Sequence, residues 1–580
     1  MFRSTILVAA CLFVASFSSH PLAAQTKAAI GVTRKGTEID VLLPPDVKVL
    51  ADERVRVLVV GGHDGSQFLH DSRAKLGDFS RMVSVELHHH PDAAIAFIPL
   101  LHPDGLTEDV SAEAATRGYP PKNGFYNDAA HPEKRYLWRW AAMYAPDLVI
   151  DVRSGDENGI WVSANEKLRN DLPKYQPTRL PGWKTLPDPA ADDFVRQAAE
   201  VSLGGLGKVT TAIVQLKPKT GDRELFLALD MLIRLAPPGR SAVRQEIIRR
   251  QELSPRTIVE ELSKVYGHDL TQVAYIPALA VIGRYRLAEA TNSAEEKASL
   301  EKLMAPFLSG ERTPIPKSGS DQAGHLLFAE LAKRSEGKDR ERWIELCRVA
   351  ADQIFDMDGK PRDLMPFHNE MSDAVFMSTP IMCATGKLTG ERKYFDAAVT
   401  HFRNMKKLCL RADGIYRHSP LDEAAWGRGN GFPAMGLAWT LSELPEDHPA
   451  FAELKADFQN HIRALLKHQD EFGCWHQVID KPGSYREFSS TCMIGWAIKR
   501  GIDRGWLDKE QHQPALDRAW LAAKQRIHEK GIVVDICTGT GKQKSLRDYY
   551  DRPAIWGVDA RGGAMALMFA TEMMGKTGGK

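Results

Sequence analysis

Past its first two dozen residues the chain has no apolar run long enough to cross a bilayer, no Cys-x-x-Cys pair, no excess of charge and no fixed repeat period. Each absence excludes something. A formal net charge of +1, from 76 Lys and Arg against 75 Asp and Glu, gives no electrostatic basis for binding nucleic acid or an anionic membrane. Any acidic ligand must therefore be held by local groups. Without a close cysteine pair there is no zinc-ribbon or redox motif. Six of the seven cysteines, Cys347, Cys383, Cys409, Cys474, Cys492 and Cys537, lie in the second half in helical or apolar surroundings, so buried free thiols are expected, with one or two disulfides as the alternative. Without a repeat period, a solenoid is disfavoured.

What is present begins with an export signal. Arg3 supplies the positive end, Ile6 to Phe17 the apolar core, and Leu22-Ala-Ala24 a small-residue cleavage site before Gln25. Val8-Ala-Ala-Cys11 has the local look of a lipoprotein site and leaves a lipid anchor as the alternative. The mature chain is expected to be periplasmic or extracellular, with no membrane span. At 580 residues it should hold more than one domain.

The two halves differ in period. In residues 25–238, Arg54-Val-Arg-Val-Leu-Val-Val60, Ala94-Ile-Ala-Phe-Ile98 and Asp147-Leu-Val-Ile-Asp-Val152 are β-branched runs bounded by Gly, Pro or charge, as in the buried strands of an α/β sheet. Between them, Pro132 opens a helix. The charged segment 239–251 predicts a linker. From 252 to 577 strand signals nearly vanish; Ser254-Pro255 is an N-cap and first-turn Pro, and apolar residues recur at three and four, as from Ala452 to Leu466 and Ala515 to Ile527. Paired helices without strands or repeats predict a closed all-α toroid.

The densest motif is Trp426-Gly-Arg-Gly-Asn-Gly-Phe432. Each Gly costs a helix interior about 1 kcal/mol against Ala, so the segment predicts a loop where bare backbone lets a ligand approach. Trp offers a sugar a flat face and Arg offers a carboxylate a planar fork, which points to an acidic sugar. The alternative is a Gly-rich connection with Trp426 in the core.

These pieces come in a recognisable order. Asp373-Ala-Val-Phe-Met377, Gly414-Ile-Tyr-Arg-His418, Trp426 to Phe432, Leu444-Pro-Glu-Asp-His-Pro449, Gln469-Asp-Glu-Phe-Gly-Cys-Trp475, Ser484-Tyr-Arg-Glu-Phe-Ser-Ser490, Cys537-Thr-Gly-Thr-Gly541 and Tyr549-Tyr-Asp-Arg-Pro553 resemble the unsaturated uronyl hydrolases of glycoside hydrolase families 88 and 105, more closely the unsaturated rhamnogalacturonyl hydrolases of family 105. The resemblance implies an (α/α)6 barrel over 252–577. It also implies an enzyme that removes the 4,5-unsaturated uronic acid a lyase leaves at the non-reducing end of an acidic oligosaccharide. An acid protonates C4, water adds at C5, and the hemiketal opens and expels the neighbouring sugar. No cofactor is implied. Asp373 matches the catalytic acid, in apolar surroundings that suit a protonated carboxyl; the alternative is a helix cap. His418 matches a substrate-contacting residue that helps activate water; the alternative is a satisfied surface histidine. Trp426, Arg428 and Asn430 fall in the substrate-contacting motif, and Phe432 stands where the family usually has Trp. Asp321 is a weaker candidate for a second carboxylate at the sugar, with helix capping as the alternative, and His368 a weaker candidate for lining the pocket. An unsaturated glucuronyl substrate of ulvan or glycosaminoglycan type remains open beside the rhamnogalacturonan type, as does a non-catalytic sugar-binding protein.

The first half resembles, more faintly, the zinc carboxypeptidase fold, through Val59-Val-Gly-Gly-His63, Ile98 to Gly105, Asp147 to Arg153 and Thr211 to Gln215. Of that family's ligands only His63 is kept. Ser66, with Gln67 beyond it, takes the second ligand's place, Arg153 the third's and Gln215 the general base's. Arg cannot ligate zinc, so no metal and no peptidase activity are expected. The run His88-His-His90 does not converge on one ion, because strand side chains alternate faces.

Overall fold

The computed structural model describes residues 26–44, 50–63, 90, 92–106, 116–121, 131–217 and 220–575. The signal segment, Ser66, Gln67, His88 and His89 lie outside the described residues.

The first half is built on an eight-stranded sheet: β1 (Thr26–Val32), β2 (Glu38–Leu43), β3 (Val55–Val60), β4 (Ala93–Ile98), β5 (Leu148–Ser154), β6 (Gly159–Val162), β7 (Lys184–Thr185) and β8 (Thr210–Leu216), in the order β1-β2-β4-β3-β5-β8-β6-β7. Its centre is parallel, with β3 paired to β4 and β5, and β5 to β8. The expected strands are therefore present, and their unbroken apolar character follows from burial on both faces. Val57, Val59, Leu148, Ile150, Ala212 and Val214 pack under helices α2 (Glu166–Arg179) and α3 (Asp222–Arg234). The alternate residues Leu58, Val60, Ala96, Ile98, Val149 and Ile213 face helix α1 (Pro132–Tyr144) and share one core with the helical half. The period of two thus assigns one face of the sheet to its own helices and the other to the second domain.

The expected linker is instead an ordered helix, α4 (Ala242–Glu252), capped by the Ser241 hydroxyl. Its charges pin it at both ends. Arg244, fully buried, donates to Leu50 O and Arg54 O at 2.8 Å and to Asp147 at 2.5 Å, and Arg250 donates to Gln525 O at 3.0 Å. Polar composition read as a loop because those arginines find their acceptors in other parts of the chain.

The second half is a double ring of helices. Six inner positions close on one another: α6 (Tyr275–Thr291), the broken pair α8 (Gly319–Gly324) and α9 (Leu326–Ala332), α11 (Ala374–Thr389), α13 (Gly427–Glu443), α15 (Phe488–Asp503) and α17 (Ala560–Met573), which returns to α6. Outside them lie α5 (Pro255–Ser263), α7 (Ala294–Leu308), α10 (Gly337–Ala351), α12 (Arg392–Cys409), α14 (Phe451–Leu466) and α16 (Lys509–Gln525). The outer helices carry the three-and-four spacing seen in the sequence. The inner ones are buried all round and need no polar stripe. Because each outer helix carries the chain back, the inner helices all start at one mouth of the ring. Ser254 caps α5 as expected, accepting from Thr257 N at 3.1 Å.

Two expectations fail here. Gly427 to Phe432 begins α13 rather than forming a loop, and every residue of that helix is buried. The glycines are there for close approach: a Cβ on Gly427 would lie 2.5 Å from His476 O, and one on Gly429 would lie 3.0 Å from Trp426 and 3.1 Å from the Ser372 hydroxyl. Tertiary packing overrides the propensity cost. The helical half also contains a hairpin-like pair, β9 (Val533–Cys537) antiparallel to β10 (Ala554–Gly557). All six cysteines of this half are free and buried. Among the described residues no helix is long and apolar enough to cross a membrane.

Candidate functional site

The mouth formed by the starts of the inner helices gathers the motif residues. Asp373 occupies the N-cap position of α11, but its carboxylate makes no capping hydrogen bond. It is spent on nothing local. Asp373 Oδ1 instead lies 3.3 Å from His418 Nε2, and both atoms are buried without a hydrogen-bond partner. Unpaired polar atoms cost roughly 1–3 kcal/mol each when buried, so two facing each other mark a place built to receive something. His418, fully buried rather than a surface residue, ends the turn that follows the bridge of Leu410 with Tyr416. Its backbone is held by Ser372 N, which donates to His418 O at 2.9 Å. The Ser372 hydroxyl in turn donates to Gly429 O at 2.6 Å.

Trp426 touches both His418 and Arg428. Its ring centroid is 4.5 Å from that of His418, and the Arg428 guanidinium lies 4.6 Å from the centroid of the same ring. At 1% exposure it offers no platform to a sugar; it fixes His418 and Arg428 relative to each other. Arg428 donates to Ser489 Oγ at 3.2 Å, Cys537 O at 2.8 Å and Thr538 O at 2.7 Å, with Glu487 3.9 Å away. Three of its five N–H donors are thus committed to holding the end of β9 over the mouth. Burial acts to lower its pKa, but the surrounding acidic groups raise it above the usual arginine range.

Asn430 departs from the expected substrate contact. Its amide accepts from Tyr416 N at 2.7 Å and donates to Tyr416 O at 2.8 Å and Trp426 O at 3.0 Å, so its capacity is used in tying the His418 turn to α13. Phe432 is likewise core: its ring packs at 5.6 Å against both Tyr275 and Phe376. Asp321 and His368 are brought to a neighbouring helix start, where each is occupied. Asp321 accepts from Gln272 Nε2 at 3.0 Å and Lys317 N at 3.1 Å, and His368 Nδ1 accepts from Gly319 N at 3.1 Å.

Two residues of the site were not among the expected catalytic or substrate-binding residues: Glu487, and Tyr549, which the sequence placed only in the turn closing the last barrel loop, near the distal sugar. Glu487 caps α15 and accepts from Cys537 N at 2.9 Å. Tyr549, fully buried, meets His418 Nδ1 at 2.8 Å through its hydroxyl. Both stood inside quoted motifs, but 131 residues separate Tyr549 from His418 and nothing local links them.

In the first half, His63, Arg153 and Gln215 converge at the carboxyl ends of β3, β5 and β8, where Arg153 is the register partner of Gln215. His63 Nε2 is 2.7 Å from Asp151, and Arg153 forks both Asp151 at 2.7 Å and Asp193 at 2.8 Å. His90 sits apart, 3.0 Å from Asp230. Among the described residues no group of three or more His, Cys, Asp and Glu could hold a metal ion. A groove of about 480 Å³ lies between β1/β2 and residues 467–486, but its charges pair with one another, Lys27 with Asp40 at 2.9 Å and Arg486 with Glu471 at 2.7 Å. It is a seam between the domains.

The sequence model of Glycosyl Hydrolase Family 88 matches residues 254–576, more than half of the chain and the whole double ring. The chain belongs to glycosyl hydrolase family 88. Two curated relatives are similar to part of the chain. The unsaturated rhamnogalacturonyl hydrolase YesR of Bacillus subtilis is 26% identical over 215 residues, 35% of this chain and 59% of that protein. The unsaturated 3S-rhamnoglycuronyl hydrolase of Formosa agariphila is 26% identical over 179 residues, 28% of this chain and 48% of that protein. The chain thus spans about half the length of the curated relatives it matches. A crystal structure described as a possible GH105 member from Salmonella enterica aligns at a TM-score of 0.48 and 20% identity, covering 56% of this chain and 93% of that one. The family-88 region begins at the Ser254 cap, so the sheet half lies outside it.

Proposed function

We propose that this family-88 chain removes the 4,5-unsaturated uronic acid from the non-reducing end of lyase-generated oligosaccharides of rhamnogalacturonan type. The observation that carries the reading is the facing pair of buried, unpartnered atoms, Asp373 Oδ1 and His418 Nε2, at the mouth of the helical ring. Asp373, as its carboxylic acid, gives a proton to C4 of the double bond. Water adds at C5 and returns a proton to the Asp373 carboxylate, with His418 holding the carboxylate in place. The C5 hemiketal then opens at its ring oxygen, and the hemiacetal left at C1 sheds the neighbouring sugar. One carboxyl acts first as acid and then as base, so the two-carboxylate arrangement of ordinary glycosidases is not needed. The starts of six inner helices point their positive dipole ends at this mouth, which favours an acidic sugar. No cofactor enters these steps.

A second reading has a specific support: the Formosa agariphila relative is a 3S-rhamnoglycuronyl hydrolase, so an unsaturated uronyl unit next to a sulfated rhamnose is the competing substrate. We further propose export, on the strength of Arg3, the apolar run Ile6–Phe17 and Leu22-Ala-Ala24. The sheet half is proposed to be a non-catalytic domain of carboxypeptidase shape, supported by the convergence of His63, Arg153 and Gln215 at one end of its parallel strands. The test is loss of the ultraviolet absorbance of the C4=C5 bond on incubation with a panel of lyase products. Turnover of rhamnogalacturonan fragments is expected; no decay with any uronyl substrate rejects the reading.

A further inference from the structure

The sheet half meets the double ring directly over the segment that carries Tyr549. The short helix Leu546–Tyr550 is capped by Ser545 and has only five residues, too few to hold its own position in water. Part of what holds it comes from the sheet half. Arg547 donates to Thr33 O at 2.9 Å and Arg34 O at 2.8 Å, in the turn between β1 and β2, and is itself clamped by Asp551 at 2.7 Å. Arg135 of α1, 2% exposed, donates to Tyr550 O at 3.3 Å. One turn along the same helix, Arg139 pairs at 2.8 Å with Asp535, on the strand whose end Arg428 grips. Asp535 is fully buried, has a left-handed backbone (φ +66°) and also accepts from Arg526 at 3.1 Å. Buried ion pairs of this kind contribute little net stability, but breaking one side is costly, so they fix geometry.

The segment so held places one hydroxyl against the catalytic pair. Tyr549 Oη accepts from Gln543 N at 3.3 Å, which leaves its single hydrogen to be donated to His418 Nδ1, 2.8 Å away. With Nδ1 accepting, the histidine proton sits on Nε2, on the side of Asp373. A second tie acts on the backbone: Gln477, which accepts from Gly427 N at 2.7 Å, donates to Tyr549 O at 3.2 Å. We infer that Tyr549 is a positioning residue that sets the His418 tautomer, and that the sheet domain serves the hydrolase by holding Tyr549 in place. The sheet domain, proposed above to be non-catalytic, is then a structural part of the active site. This rests on the proposed uronyl hydrolase reading for its kinetic arm only.

The experiment uses the full chain and three variants, Tyr549→Phe, Arg547→Met and the double variant, each checked for unchanged circular dichroism. Tyr549→Phe is expected to lower kcat roughly 10- to 100-fold with KM nearly unchanged, as for loss of orientation at a reacting group, and to move the pH profile of kcat. Arg547→Met is expected to lower kcat several-fold in the wild-type background and to add little in the Tyr549→Phe background, because both act through one contact. Independent of activity, nitrogen spectra of histidine-labelled protein, with His418 assigned by subtraction of His418→Gln, are expected to show His418 protonated on Nε2 and to lose that preference in Tyr549→Phe. A proton on Nδ1 in the wild type overturns the inference, as do additive kinetic effects or an unmoved pH profile. An inactive wild type rejects the hydrolase reading alone and leaves the spectra to decide this one.

Discussion

Each half of the molecule buries a histidine against an aspartate, and the two pairs differ in what is left over. In the sheet half His63 hydrogen-bonds Asp151 at 2.7 Å, and the second Asp151 oxygen is taken by Arg153, which also forks Asp193. Burial would raise the Asp151 pKa, but Arg153 and His63 together hold it down at about 2. The charges of the cluster compensate one another and its carboxylate oxygens are taken, although His63 Nδ1 is buried without a hydrogen-bond partner. In the ring, Asp373 and His418 face each other at 3.3 Å without a hydrogen bond, while Ser372, Asn430 and Tyr549 are occupied in holding them still. The residue types alone do not separate the two pairs. A carboxylate oxygen left without a hydrogen bond inside a rigid frame does.

The comparison breaks first at Asp373. Asp373→Asn keeps the shape and removes the proton that the chemistry needs, so turnover should fall by about 10²–10⁴, the contribution of a general acid–base group. Steady-state rates on the absorbance assay measure it. A loss under about tenfold would be too small for a general acid and would move the role elsewhere.

The next largest effect is expected in the sheet half, on stability rather than activity. Arg153→Met leaves Asp151 and Asp193 buried without their shared cation, at a cost of about 3–5 kcal/mol. Thermal unfolding should shift down accordingly. The hydrolysis rate per folded molecule should stay within about twofold, because the cluster shares no partner with the ring site. His63→Ala should not change metal content; stoichiometric zinc in chelator-washed wild type, lost in that variant, would reopen the cluster as a metal site.

Much of this was legible from sequence, unevenly. The strands at 55–60, 93–98 and 148–154 were visible because both-face burial demands unbroken β-branched runs. The outer helices were visible through their spacing, as in Phe451–Leu466. Asp373 and His418 were singled out through ordered motifs, and the fold brings them within 3.3 Å of each other. Local rules failed where partners lie far off in the chain. The glycines of 427–431 read as a loop because the elements they touch, such as His476 and Ser372, are brought there only by the ring. Arg244 and its neighbours read as a linker because their acceptors lie almost two hundred residues away or in the other half. Tyr549 stood inside a quoted motif, yet its pairing with His418 needs the sheet half to hold it. The run Val533–Cys537 carried a strand signal that the helical context masked.

The halves should also differ in how pH moves their stability. In the ring, burial pushes His401 and His476 down to about 4 and His528 to about 3. An unfolded histidine titrates near 6.5. Between 6.5 and 4 the unfolded chain binds protons the folded ring refuses, so this stability is full above 6.5 and lost as pH falls. In the sheet half Glu133, at the start of α1, goes the other way. Burial, with Asp104 adding to it, raises its pKa to about 7. Between 4.5 and 7 the folded protein keeps a proton that the unfolded chain has released, so stability is full below 4.5 and falls as pH rises through 7. Glu133→Gln removes that loss. It should stabilise the protein by about 1–3 kcal/mol at pH 8, from a shift worth about 1.4 kcal/mol per unit, and by nothing at pH 4.5. Between pH 4.5 and 6.5 the three histidines outweigh one glutamate, so the wild type still gains stability with rising pH and Glu133→Gln gains it more steeply; above 6.5 only the glutamate contribution is left, and of these groups it alone lowers wild-type stability. Urea unfolding of both proteins across this range reads the difference. Equal stabilisation at both ends would mean that Glu133 is charged in the folded state throughout, and the contrast between the two halves would reduce to the histidines alone.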